Sequence, residues 1–503
     1  MAETRIPDAI KQYRPGPCTE IKLISGNYYV YMYQSQKLES GDWGKKTGKS
    51  IGKIVPGTGF IPNRNYHLYT GEESQDEITV LEYGQYALIE SVAGDIRTAL
   101  ESCFPADRAS QIFAYACILY ANGFVHVDQV QGYYEQSWLS QEYKSLPFRM
   151  GKTALGSLLD NLGRRTARVV KYEKNTILNS SSAIAIDGHA IRCCSDENDL
   201  GETGYKFKCL GEDQVNLLMG YDVNTGMPLF ARMYRGACND KSTIGDLADL
   251  LGFSGILFVV DRGFYRAKNL EILSSNDNTY IIPVPSNTDV FRNAMKNVRY
   301  TDSFYYRSGK KHARIEYTSH RLSDSEYVYV FRDIDENEKC RYNYQHCMEL
   351  GRKGYTQEKL EQSKEVFGVY VLQSNSAKSA EEVFTGYKKR WGIETFYQYL
   401  KNSADFNDLM VQDYYREQGL SFIMLITGQI RQKMIEAVKK LNNNAISTND
   451  ILLMARCMKM ERRGNSWNLK NTRKRDLQIL KQLGFEPKMT VTDSCCCPIS
   501  VKA

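Results

Sequence analysis

Long apolar runs are missing from this chain. A membrane-spanning helix needs about 18 consecutive apolar residues, and the runs here are of the size of "GILFVV", residues 255–260. No basic, apolar, then small-residue pattern opens the sequence, so no signal peptide is read there. Paired cysteine spacings are missing as well. The 13 cysteines contain no Cys-x-x-Cys and no regular framework, which suggests reduced, buried or incidental thiols in a cytosolic protein. The run Cys495, Cys496 and Cys497 has no partner histidine nearby and makes a poor tetrahedral metal site. Nor is there an internal repeat, a disorder-prone composition, or a helix-turn-helix or zinc pattern in the first 150 residues.

What is present is ordinary globular material. The 503 residues are 42% hydrophobic and 25% charged, which is normal for packed domains. At ~100–200 residues per domain, that length suggests two to four of them. The net charge of +6 is mild but uneven: residues 452–488 hold ten Lys or Arg against three acids. A basic C-terminal region of this kind fits a polyanion partner or a solvated surface.

Residues 1–75 read as β-rich and turn-rich, with "NYYVYMYQS" as a strand and "GDWGKKTGKSIGK" as a Gly/Lys turn cluster. Apolar residues then recur every three or four positions from about 80 to 165, a helical period. A mixed N-terminal domain over 1–165 is expected. From 181 the pattern runs strand, hairpin at "VNTG", helix from Asp240 to Gly252, strand "GILFVVD", helix, strand "TYIIPVP". That alternation predicts an α/β domain with a mixed sheet. Residues 286–365 are polar and Tyr-rich, and are read as a β-rich insertion. The α/β domain resumes at 366–430, and a helical, basic C-terminal region covers 431–503.

Two carboxylates stand out. Asp187 and Asp261 each end an apolar run and are followed by a Gly-containing turn, "DGH" and "DRGF". An isolated buried carboxylate is costly, and strand ends are where α/β sheets gather ligands. The two could share a cation, or each could be a helix cap or turn residue. A hard divalent ion prefers more oxygen ligands than two carboxylates supply, and a third acid would allow two-ion chemistry. Glu394 is the candidate. In "YKKRWGIETFYQYLK", read as one helix, Tyr387, Arg390 and Lys401 lie about 20°, 40° and 20° from Glu394. Ile393, Phe396 and Leu400 take the opposite side. The stripe could follow the phosphates of a nucleic acid, or it could be a solvated face with Arg390–Glu394 pairing.

Tyr387, Arg390, Glu394 and Lys401 also meet the spacing Tyr-x2-Arg-x3-Glu-x6-Lys, and with "AIAID" and "VVDRGF" the chain resembles bacterial insertion-sequence DDE transposases that carry the YREK signature. The resemblance covers about 180–430. It implies a ribonuclease H-like catalytic domain at 180–285 and 366–430, with Asp187, Asp261 and Glu394 holding Mg²⁺ (Mn²⁺ can substitute). It implies Tyr387, Arg390 and Lys401 gripping phosphates of double-stranded DNA, at element ends and target. By the same analogy the protein is a homodimer in its synaptic complex and works in the cytoplasm at the nucleoid; the short apolar runs give no expectation of a membrane partner. DNA-end recognition falls to the N-terminal region by position. Two departures are visible. The family's Gly-Asn-x-x-Asp is "GACND" here, keeping Gly236 and Asp240, and the insertion lacks tryptophan, the four being Trp43, Trp138, Trp391 and Trp467. A nuclease on the same scaffold and an inactive DNA-binding relative are the competing readings.

Overall fold

In the computed structural model, residues 6–37, 43–63, 65–66, 79–193, 195, 197–204, 206–238, 240–308, 311–402, 408–409, 411–441, 443, 445–463 and 466–492 are described. Cys495–Cys497 lie outside them. Two compact units emerge. One comprises Met1–Val80, Glu461–Asn468 and Met489–Ala503, and the other Leu81–Met460 and Leu469–Lys488. The expected N-terminal boundary at 165 is therefore displaced to Val80. The helices after it belong with the second unit because they pack on a helix more than 200 residues later, which local patterning cannot reveal.

The first unit holds four antiparallel strands in sequential order: β1 (Thr19–Ile24), β2 (Asn27–Lys37), β3 (Trp43–Val55) and β4 (Gly59–Pro62). Alternation on β2 sends Tyr28, Val30 and Met32 into a small core with Ile51 and Ile54. The expected Gly/Lys turn cluster is instead most of β3. Cross-strand pairing to β2 overrides the weak strand preference of Gly and Lys.

The second unit opens with helices α1 (Gly84–Glu101), α2 (Ala106–Asn122), α3 (Lys152–Arg164) and α4 (Thr166–Leu178). Then come β5 (Ala183–Cys193), β6 (Asp213–Asp222), β7 (Pro228–Arg235), α5 (Asp240–Leu251), β8 (Leu257–Val260), α6 (Ala267–Leu273) and β9 (Thr279–Pro283). The hairpin turn between β6 and β7 is the expected one; Gly226 takes φ +76° there, a left-handed conformation that favours glycine. β10 (Asp302–Ser308), β11 (Lys311–Arg321), β12 (Tyr327–Asp333), α7 (Ile334–Glu349), α8 (Gln357–Ser363) and β13 (Val369–Ser374) follow. The unit continues with α9 (Ala380–Lys389), α10 (Trp391–Asn402) and α11 (Tyr414–Lys439).

The strand order is β10-β11-β12-β13-β9-β8-β5-β6-β7. β7, β6 and β5 are antiparallel, and β8 and β9 run parallel to β5. This is the mixed sheet expected of the α/β domain, and its order agrees with the ribonuclease H-like fold that the family resemblance implies. The central strands are buried on both faces, so they read as continuous apolar runs. On one face Ile244, Leu247, Leu251 and Leu273 of α5 and α6 pack on Ile184, Ile186, Phe258 and Val260. On the other, Val383 and Phe384 of α9 cover Ile281, Phe331 and Leu372.

Two expectations change in detail. The insertion at 286–365 extends the same sheet through β13 and also carries helices, including Asp289–Met295. The C-terminal region is not simply helical: strands Lys459–Arg463 and Ser466–Lys470 stand between helices Thr448–Arg456 and Lys474–Gln482. Among the described residues no helix is long and apolar enough to cross a membrane.

Candidate active site

The parallel pairing of β5 with β8 ends at Ile186↔Val260. The next residue on each strand is an acid, so Asp187 and Asp261 stand beside each other one step past the last pair. β8 ends there, as expected. β5 does not: it runs on to Cys193, paired with β6 down to Asp213. Asp187 therefore sits mid-strand, where β5 loses one neighbour and keeps the other. Asp261 precedes a short 3₁₀ turn, Arg262–Phe264, and its side chain makes no capping hydrogen bond there, so capping does not account for it.

The third acid arrives on a broken helix. Ser379 and Glu382 form a capping box that starts α9. At Arg390 the ladder tightens: the Arg390 N–H donates to Tyr387 O and the Ile393 N–H to Arg390 O, each at 3.1 Å. The single helix expected across 387–401 is thus two, with Tyr387 on α9 and Glu394 and Lys401 on α10. The apolar side holds as read, with Ile393, Phe396 and Leu400 buried.

Arg390, at the joint, faces all three carboxylates. Its Nη2 lies 2.6 Å from Glu394 Oε1 and 3.8 Å from Asp261 Oδ1, and Nη1 lies 3.5 Å from Asp187 Oδ2. Only the Glu394 contact is a hydrogen bond; the other two are Coulombic. The Arg390 side chain is 12% exposed, against 19% for Asp187, 44% for Asp261 and 41% for Glu394. Burial pulls its pKa down, but Tyr387, Asp261, Asp187 and Glu394 together raise it above the usual value. Arg390 is turned onto the acids, because three carboxylates this close require a counter-charge.

Tyr387 is half-buried against the α9 core, and burial raises its hydroxyl pKa. Lys401 is exposed and belongs to a cluster that sequence reading missed. His189 shares a face with Asp187 two residues earlier on β5 and stacks on Tyr397, ring centres 4.8 Å apart. The Tyr397 hydroxyl donates to Asp187 O at 2.7 Å. Burial, then Lys206 and Lys401, lower the His189 pKa to about 4, so it is neutral at pH 7. Lys206 is itself lowered by burial and by Lys401, with Asp187 opposing. The spacing "DGH" could have flagged His189; Lys206 sits in irregular chain with no local signal.

Three carboxylates from three elements sharing one cation make a hard-oxygen donor set of the type divalent ions take. Among the described residues, no three acid, His or Cys side chains are grouped so as to hold an ion as they stand, and the Arg390 guanidinium lies between the acids. Metal binding therefore competes with Arg390. Replacing it with Gln should tighten Mn²⁺ binding to the DNA-free protein about tenfold, a ~1.4 kcal/mol gain, in isothermal titration. Weaker or unchanged binding would show that Arg390 assembles the acids without competing for them.

Residues 179–427 match the family model of the transposase DDE domain. Over those residues, just under half of the chain, the sequence is similar to transposase DDE domains. The match spans β5 through most of α11 and so contains all three acids, and a transposase is an enzyme that acts on DNA. No curated protein matches the chain. Among solved structures, the cryo-EM piggyBac transposase synaptic complex with hairpin DNA is similar at 10% identity and a TM-score of 0.38. The likeness covers 81% of this chain and 83% of that chain, but at that score it supports neither fold nor function.

Proposed function

We propose that this DDE transposase belongs to the YREK insertion-sequence group, cuts DNA at the ends of its element and joins the ends to target DNA. The observation that carries this reading is the convergence of Asp187, Asp261 and Glu394, from two adjacent strand positions and a helix, on one cationic centre within a transposase domain. These three acids would hold Mg²⁺, with Mn²⁺ able to substitute. When bound, such ions neutralise charge on a phosphodiester and make water a better nucleophile at neutral pH.

The chain's own groups do the positioning. The two-strand register sets the spacing of Asp187 and Asp261, and Tyr397 holds the Asp187 backbone. Lys206 places positive charge near Asp187, and Lys401 adds to it near His189 and Lys206, where a DNA phosphate would approach. Arg390 neutralises the acids, and with the acids holding an ion it would be available to a phosphate. Partners under this reading are double-stranded DNA and a second copy of the chain in the synaptic complex, in the cytoplasm at the nucleoid.

The competing nuclease reading differs in one step. Pre-cut ends bearing free 3′-hydroxyls should be joined to a plasmid target in Mg²⁺. Cleavage of uncut ends without any joining would favour the nuclease.

A further inference from the structure

Past the short flanking strands of the first unit, β2 and β3 continue as a pair. β1 covers β2 only as far as Met32, and β4 covers β3 only over Gly52–Val55. Beyond them the pairs Gln34↔Lys46, Ser35↔Lys45, Gln36↔Gly44 and Lys37↔Trp43 have no third strand among the described residues. Two strands ~4.8 Å apart make a ribbon roughly 14 Å long over these four pairs. A B-DNA major groove, ~12 Å wide, admits a two-stranded ribbon.

The side chains suit that groove. Residues 33–37 and 43–50 carry Lys37, Lys45, Lys46 and Lys49 and no acid. All four lysines are exposed, and among the described residues none forms an ion pair. The connecting residues 38–42 add Glu39 and Asp42, so the positive charge belongs to the strands. Glu20, on the adjoining sheet face, is held by Lys22 and Thr47. Between the lysines stand Gln34, Ser35 and Gln36, all exposed. Gln can bond adenine bidentately and Ser can reach base edges, while lysines take phosphates. Trp43 is 73% exposed at the far end of the pairing, an aromatic that no core explains.

We infer that the β2–β3 ribbon is a duplex-DNA reading element that enters the major groove, with Lys37, Lys45, Lys46 and Lys49 on phosphates and Gln34 and Gln36 on base edges. This rests on the proposed DNA transposition and deepens it by assigning where sequence is read. Charge complementarity favours a polyanion, and the ribbon's width favours a duplex over a single strand.

The test uses the 503-residue chain in EDTA with a fluorescein-labelled 40-base-pair duplex from the gene's flank, a shuffled duplex and the flank's single strand. Changing all four lysines to Ala should weaken duplex binding at least about thirtyfold at 0.1 M salt. It should also flatten the log–log salt slope by roughly 2–4, at ~0.9 per phosphate contact. Gln34→Ala with Gln36→Ala should keep the slope and remove the preference for flank over shuffled duplex. A lysine variant that binds the duplex like the wild type, or loses only single-strand binding, overturns the ribbon assignment. Because binding is read without chemistry, a wild type that binds but never joins ends leaves the ribbon standing and removes the transposase reading.

Discussion

Replacing Asp187, Asp261 or Glu394 singly with Ala is expected to lower Mg²⁺-dependent cleavage at least about 10³-fold, roughly 4 kcal/mol of transition-state stabilisation. Among the described residues each acid is one of three carboxylates around the Arg390 guanidinium, so losing any one removes a third of that oxygen donor set. Remaining acids cannot move in to replace it, since two are fixed by strand register and one by a helix. DNA binding should stay within about threefold of wild type, because phosphate contacts dominate affinity and the acids make none. Gel-based cleavage and fluorescence anisotropy on the same preparations separate the two effects. An Asp187→Ala variant that keeps a tenth or more of wild-type cleavage would remove it from the catalytic set.

The second large effect concerns the scaffold. α3 and α11 cross backbone to backbone at two glycines. A Cβ on Gly163 would lie 1.8 Å from Tyr415 O, and one on Gly419 would lie 2.1 Å from Leu159 O. Neither contact involves a flexible side chain, so the helices must separate. Gly163→Ala and Gly419→Ala should each cost about 3 kcal/mol, the upper range for forced overpacking. α11 is the buried helix that also holds β7, through Gln418 Nε2 donating to Met233 O at 2.7 Å. Gly156, on the same α3, has nothing closer than 4.0 Å. Gly156→Ala should leave stability unchanged or raise it by up to ~1 kcal/mol through helix propensity. Denaturant midpoints of the three variants check the contrast; a Gly163→Ala protein as stable as the wild type would contradict the close crossing.

Much of the site was readable because strand burial and chemistry coincide in the sequence. Apolar runs interrupted by Asp187 and Asp261 mark central strands meeting an edge where ligands bind, and Glu394 with Arg390 at four-residue spacing is visible on any helical wheel. Legibility stops where tertiary contacts decide. β5 continues past Asp187 because β6 goes on pairing with it, so "DGH" resembles a turn without being one. The joint at Arg390 has no proline to announce it, and once formed it turns the guanidinium inward onto acids that are distant in sequence. The lysine-rich β3 and the helices before 165 were misplaced for the same reason: their partners, not their own residues, set their roles.

The central claim is that three carboxylates organise metal-dependent joining of DNA ends. It is tested most directly by incubating the wild-type chain with pre-cut flanking ends and a plasmid target, in EDTA and then across an Mg²⁺ titration, with Glu394→Gln in parallel. The account predicts no joined product in EDTA, product that rises with Mg²⁺ and saturates, and none from Glu394→Gln at any Mg²⁺ concentration. Joining in EDTA, or joining by Glu394→Gln at the wild-type level, would contradict it.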